Sequence, residues 1–253
     1  MHYFDCLRLL KTTFIEGKDK HILADVLMRH FSQSKLSLLD IGGGDASYIN
    51  KLADALPLKE VSIVVIDPLL RNLPPGVAIT LSPRVRFVDA SFEGFTEPGL
   101  FDVVHIRHSL YYLNRPWSAL KRATALVKDS GLLILNLWSR RCWIYQLHVA
   151  LFQDTDVVTA EGVLEVLKTM NNVREARLEY IRGMVNTDMW IASESVKDAA
   201  FAVIRRSRDG GHISQLTAML EDLVRRSPDR FPVRVNGIIV AEVGRALPLD
   251  GVQ

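Results

Sequence analysis

Cysteine is scarce in this chain. Cys6 and Cys142 are the only two among 253 residues, so no disulfide framework is expected, and the lack of any Cys-x-x-Cys pair removes the usual zinc signature. No uncharged stretch approaches the length of a membrane span. The first apolar run, MHYFDCLRLLKTTF, is interrupted by Asp5, Arg8 and Lys11 and is not expected to be a signal peptide. A cytoplasmic protein with no membrane partner is expected. An excess of charge is missing too: 31 Lys and Arg stand against 29 Asp and Glu, a formal +2. The pairs Arg140-Arg141, Arg205-Arg206 and Arg225-Arg226 fall in helix-like segments and read as solvated helix faces. A nucleic-acid enzyme would carry a basic stripe, so no nucleic-acid partner is expected. Internal repeats and low-complexity segments are absent.

What is present is ordinary globular material, 48% hydrophobic and 24% charged, long enough for one elaborated domain with a sizeable core. Tyr3, Leu7, Leu10 and Phe14 recur at helical spacing, as do Leu23, Leu27 and Phe31, which predicts two short amphipathic helices before the first strand. Short apolar runs follow at 36–41, 61–67, 85–90, 101–106 and 131–138, with helix-like pieces at 47–56, 116–128 and 160–170. Near-continuous apolar strands alternating with helices indicate a parallel sheet covered on both faces. Strand-like runs at 173–181 and 235–243 complete it. The expected fold is α/β: a doubly wound, mostly parallel, seven-stranded Rossmann-like sheet in a single domain over 1–253. Residues 1–34 are expected to form N-terminal lid helices, 35–183 and 232–245 the core, and 184–231 a helical cap insert.

The stretch LLDIGGGDASY, residues 38–48, places three glycines directly after the first strand. Glycine in series is entropically costly and implies a backbone that a ligand approaches closely. In a doubly wound sheet that place borders the ligand crevice, and the following helix offers N–H groups to an anion. A dinucleotide fingerprint would need glycine or alanine where Ser47 stands. The pattern reads instead as Asp40-x-Gly42-x-Gly44. Asp67 ends the second strand, where a carboxylate can accept ribose hydroxyls, and Asp89 ends the third, where it can meet the amino group of an adenine. Three acids at successive strand ends suit a ligand with a ribose, an amino-purine and a positive charge, and would repel a pyrophosphate. The alternative is that each acid caps a following turn.

LLDIGGGDASY, VVIDP, FVDASF, FDVVHIRHSLYYL and GLLILNLWS are similar to the successive motifs of class I S-adenosylmethionine (SAM)-dependent methyltransferases, in the right order over roughly 36–138. HYFDCLRLLKTTFIE, LYYL and VNGIIVAEV resemble pieces of histamine N-methyltransferase and its relatives. The resemblance implies SAM as cofactor, held by Asp40, Gly42, Gly43, Gly44, Asp67, Pro68, Asp89, Ala90 and Ser91; Arg107, which departs from the family pattern, is expected to join them. The resemblance also implies a small-molecule acceptor, methylated at nitrogen, and no metal.

By the same resemblance Glu16 falls where such enzymes bind the acceptor's amine, and His108 falls at an acceptor-contacting glutamine. Arg107 replaces an apolar residue beside the cofactor. Arg234 lies near a second acceptor contact, with Asn236 two places on and on the same strand face. Arg107 and Arg234 can bind a carboxylate bidentately, which favours an amino acid or other anionic acceptor over histamine itself. Tyr3, Phe4, Tyr111, Tyr112 and Trp143 can form an aromatic wall for a sulfonium or ammonium, or can be plain core. Glu16, His108 and Tyr3 are the expected catalytic residues. Tyr112, Trp143, Arg234 and Asn236 join Glu16 and His108 as expected acceptor contacts.

His105 and His108 sit three apart across a strand end, on opposite faces, and make no chelate. Ser109 and Ser139 lack a nucleophile-elbow setting. Three rivals stand beside methyl transfer: an enzyme that cyclises or cleaves the aminocarboxypropyl chain of SAM itself, a nicotinamide dehydrogenase, and a non-catalytic SAM-binding module. A monomer or homodimer is expected.

Overall fold

Runs of Val, Ile and Leu become strands because branched side chains suit a pleated, buried surface. The structure, a computed structural model, describes residues 9, 14–15, 19–31, 35–68, 81–142, 145–146, 148–149, 157–185, 193, 218, 222 and 233–244. In chain order the elements are β1 (Phe14–Ile15), α1 (Asp19–His30), β2 (Lys35–Ile41), α2 (Ser47–Ala55), β3 (Glu60–Ile66), β4 (Val85–Val88) and β5 (Phe101–Arg107). A 3-10 turn (Leu110–Tyr112), α3 (Pro116–Ala125), β6 (Val127–Trp138), α4 (Ala160–Leu167), β7 (Val173–Val185) and β8 (Val233–Val243) follow.

The strands form one sheet in the order β1-β7-β8-β6-β5-β2-β3-β4. The pairs β2–β3, β2–β5, β3–β4 and β5–β6 are parallel. The start of β8 lies by the end of β6, through Ser139 N–H to the Val235 carbonyl at 3.3 Å. Its end lies by the start of β7, through Gly244 N–H to the Asn172 carbonyl at 2.9 Å, so β8 runs against both. Discounting two-residue β1, this is the expected seven-stranded, mostly parallel α/β sheet.

The chain divides into two compact units. One comprises 1–18, 138–157 and 180–236, and the other 19–137, 158–179 and 237–253. The second holds the core of the sheet, with Leu38, Leu39, Ile63, Val65, Val103, Val104, Leu133 and Leu135 fully buried. Helix α1 belongs to it: Leu23, Val26 and Leu27 are buried, and His30 Nε2 meets the Ser130 carbonyl at 3.0 Å. Of the two helices expected as a lid over 1–34, the second is therefore core. Phe14, expected at the end of the first, instead pairs antiparallel with Val185 in β1.

Several boundaries move for identifiable reasons. Helix α3 stops at Ala125, not 128, because the Leu126 carbonyl accepts the N–H of Phe101 at 2.9 Å and Val127 pairs with Phe101. Helix α4 ends at Leu167, where Thr169 and Met170 turn back on Val166 and Leu167; it starts under a side-chain cap, Thr159 accepting the N–H of Gly162 at 3.2 Å. Strand β7 runs on to Val185, so the insert expected from 184 begins later. Apart from residues 184, 185, 193, 218 and 222, the expected helical insert lies outside the described residues.

At the amino ends of the central strands, Asp102 accepts from the backbone and hydroxyl of Ser37 at 2.8 and 2.6 Å and from Lys128 at 2.8 Å. One carboxylate thus ties β5 to β2 and β6. Its pKa is set by opposed effects. Burial, the largest, raises it, but the bonds from Lys128 and Ser37 together outweigh burial and hold it below the ordinary aspartate value.

Candidate active site

Register brings the carboxyl ends of β4, β3, β2 and β5 level: Val88 pairs with Ile66, Ile66 with Ile41, and Ile41 with Ile106. The chain leaves β2 for β3 and β4, then returns to β5 on the other side of β2. Strand order reverses between β2 and β5, which is where an open α/β sheet forms its ligand crevice. The residues that follow these ends are Gly42–Gly44, Asp67–Pro68, Asp89–Ser91 and Arg107–Ser109.

The three glycines do different things. A β-carbon on Gly42 would overlap the side chain of Ser109, and one on Gly43 would overlap Asp40 Oδ2 and Val65. Gly44, at φ +61°, would meet nothing within 4 Å, so it alone of the three opens onto free space. Gly42 also has positive φ, +72°. Ser109, set aside as a nucleophile, donates to the Ile41 carbonyl at 2.5 Å and wedges the β5 loop against the turn.

The turn uses its own donors. Gly44 N–H donates to Asp67 Oδ2 at 2.8 Å, Ala46 N–H to the Gly43 carbonyl at 3.1 Å, and Ser47 N–H to Asp45 Oδ1 at 3.2 Å. The expectation that this helix start offers its N–H groups to an anion is corrected for these three. Ala46, fully buried, takes the left-handed conformation at φ 56°, which costs any residue with a β-carbon.

Asp67 is nearly buried at the end of β3, and Pro68 beside it is exposed. Asp89 and Ala90 are half-buried and Ser91 exposed. Arg122 of α3 fixes the loop beyond them, donating to the carbonyls of Phe92 and Phe95 and lying 4.5 Å over the Phe92 ring.

His108 follows β5 in the left-handed region, φ 52°, an outlier of the kind that gathers at functional sites. Its N–H donates to the Asn136 carbonyl at 2.9 Å, and its Nδ1 lies 2.6 Å from the Tyr111 hydroxyl. Tyr111 is buried, whereas Tyr112 is half-buried and meets it edge-on at 5.7 Å. Arg107, half-buried, places its guanidinium 4.1 Å over the Tyr48 ring.

The structure thus gathers Asp40, Gly42, Gly43, Gly44, Asp67, Pro68, Asp89, Ala90, Ser91, Arg107, His108 and Tyr112 in one unit. Asn236, half-buried in β8, belongs to the other, as does the backbone of Arg234. Tyr3, Phe4, Glu16 and Trp143 lie outside the described residues. Sequence reasoning missed Tyr48, Asn136 and the pairing of Asp40 with His105. The last had a signal: LLDI and VVHI each interrupt an apolar run at the same place on neighbouring strands.

The methyltransferase domain profile matches residues 15–187. The chain belongs to this family. It is a SAM-dependent methyltransferase. The assignment to the histamine N-methyltransferase group remains a resemblance. Among solved structures, the methyltransferase is similar to a protein of Anabaena variabilis assigned as a methyltransferase from an antibiotic biosynthesis pathway. The identity is 13% and the TM-score 0.58, over 88% of this chain and 97% of that one. A protein of Bacillus halodurans assigned as a methyltransferase matches with 14% identity and TM-score 0.53, over 89% and 99% of the two chains. One of Galdieria sulphuraria, assigned as a sarcosine dimethylglycine methyltransferase, matches with 14% identity and TM-score 0.52, over 89% and 85%. These likenesses show a shared fold. No curated protein matches the sequence. Among the described residues no helix is long and apolar enough to cross a membrane.

The residues present fit SAM. The turn opens at Gly44, acids stand at the ends of β3 and β4 for a ribose and an amino-purine, and the Arg107 guanidinium suits a carboxylate.

Proposed function

We propose that this methyltransferase methylates the nitrogen of a small amine or amino-acid-like acceptor, and that SAM lies across the strand ends in a fixed order. Asp89, with Ala90 and Ser91, takes the adenine end; Asp67, with Pro68, takes the ribose; Gly42–Gly44 and Arg107 take the amino-acid end. The order follows the strand order β4, β3, β2, β5. SAM supplies an electrophilic methyl group on a sulfonium.

The protein's part is to orient the acceptor, exclude water and receive a proton. His108 carries this reading. It stands at the switch point, its ring held by Tyr111 at 2.6 Å and its backbone by Asn136. If the Tyr111 hydroxyl donates to Nδ1, Nε2 carries a proton and orients the acceptor by donating. If Nδ1 donates to Tyr111, Nε2 is an acceptor and takes the proton that the nitrogen sheds. Glu16 and Tyr3 join His108 by resemblance, as do the acceptor contacts Trp143, Arg234 and Asn236. Sarcosine and dimethylglycine, both amino acids, are the compounds named for the Galdieria sulphuraria protein of the same fold.

A screen of amines and amino acids for SAH (S-adenosylhomocysteine) release tests the proposal. Methylation at nitrogen that His108→Ala slows, with SAM affinity kept, is expected. Methylation at oxygen or carbon alone would overturn it.

A further inference from the structure

The acid that opens the glycine turn is not at the surface. Asp40 is 3% exposed, and its Oδ1 lies 2.7 Å from Nδ1 of His105, which is 1% exposed. The two are register partners on β2 and β5. A carboxylate only accepts, so Nδ1 carries the proton. Asp40 Oδ2 occupies the place that a β-carbon on Gly43 would need, which sets the carboxylate directly beneath the turn. The Tyr48 ring stacks on His105 at 5.9 Å and 13°, and Arg107 lies over the same tyrosine. His105 and Arg107 share a strand face. Tyr48, in the first turn of α2, therefore meets both, and the column Asp40, His105, Tyr48, Arg107 ties β2, β5 and α2 together at the crevice.

A carboxylate this deep needs a partner, and losing one costs more than the pair contributes. Among the described residues, the side-chain bond of Asp40 is the one to His105.

We propose that His105 is a positioning residue of the SAM site: through Asp40 it holds the glycine turn, and through Tyr48 it holds Arg107, where they receive the aminocarboxypropyl end of SAM. The proposal rests on the subsite order given above. It sets the effect of His105 on one end of the ligand and not on the adenosine.

Calorimetry on the full chain separates the two ends, using SAH and methylthioadenosine, which keeps the adenosine but lacks the aminocarboxypropyl chain. His105→Phe preserves a ring against Tyr48 and gives Asp40 no donor. His105→Asn restores an N–H near the position of Nδ1. His105→Phe is expected to weaken SAH about 10- to 100-fold and methylthioadenosine by about threefold or less. His105→Asn is expected to recover most of the SAH affinity. His105→Gln, whose amide falls nearer the Nε2 position, should behave like His105→Phe and replaces it if that variant does not fold. Unchanged SAH affinity would overturn the proposal. So would equal losses for both ligands, or losses that follow the melting temperature alike in all variants, since His105 would then be structural only. A wild-type chain that binds methylthioadenosine but not SAH would overturn the subsite order beneath it.

Discussion

At the residue scale, Asp67 has two tasks that substitutions can separate. It accepts Gly44 N–H at 2.8 Å and is proposed to hold the ribose. Asp67→Asn keeps an acceptor for the turn but loses the charge, and should weaken SAM by about 1–3 kcal/mol with stability little changed. Asp67→Ala should lose stability as well, because Gly44 N–H is left unmet. Calorimetry with SAM beside urea denaturation reads both. Ala46 offers the opposite test. Its left-handed backbone costs about 1–2 kcal/mol with a β-carbon, against about 0.5–1 kcal/mol of extra chain entropy for glycine. Ala46→Gly should therefore stabilise the fold by up to about 1 kcal/mol in urea denaturation, whereas Ala46→Val should destabilise it. The glycine turn was legible from LLDIGGGDASY, but the separate reasons for its glycines were not. Gly42 is fixed by Ser109, and Gly43 by Val65 as well as by its near neighbour Asp40; Ser109 and Val65 come from elements distant in the chain, and no local pattern encodes those contacts.

At the element scale, the strands were legible because each is a short apolar run bounded by turn residues, and β2, β3 and β5 begin within a residue of expectation. Helix ends were less so. Leu126 ends α3 because it is needed by Phe101, and that demand is tertiary. The tie at the amino ends of β2, β5 and β6 makes a prediction about pH. The folded Asp102 carboxyl titrates below its unfolded value, so the stability it contributes is fully present above an unfolded pKa of about 3.9. It is lost as pH falls through the lower folded value. Asp102→Ala should cost about 1–3 kcal/mol at neutral pH by leaving the Ser37 N–H without its acceptor, and the variant should lose less stability than wild type below pH ~4. Thermal melts from pH 7 downward read the difference. SAM affinity at neutral pH should stay unchanged, because this cluster sits at the opposite end of the strands from the crevice.

At the scale of the whole molecule, the proposed SAM contacts lie in one compact unit, while residues 1–18 belong to the other. Deleting residues 1–12, which spares β1, should leave SAH affinity within about threefold of wild type and lower turnover sharply by removing Tyr3. Calorimetry and a turnover assay on the same preparation check this, and full activity after the deletion would dissociate Tyr3 from catalysis. The proposed SAM contacts could be read from the sequence because their acids and glycines lie at strand ends in sequence order. The proposed acceptor contacts rest on resemblance alone, because the candidates are scattered from Tyr3 to Asn236 with no local pattern that joins them. The central claim is methyl transfer to a small acceptor, and the products decide it most directly. Mass spectrometry follows the purified protein with SAM alone, then with SAM and a metabolite extract. The account predicts little change with SAM alone, and with extract SAH together with one metabolite heavier by a methyl group on nitrogen. Rapid methylthioadenosine formation from SAM alone, with no SAH when extract is added, would contradict it.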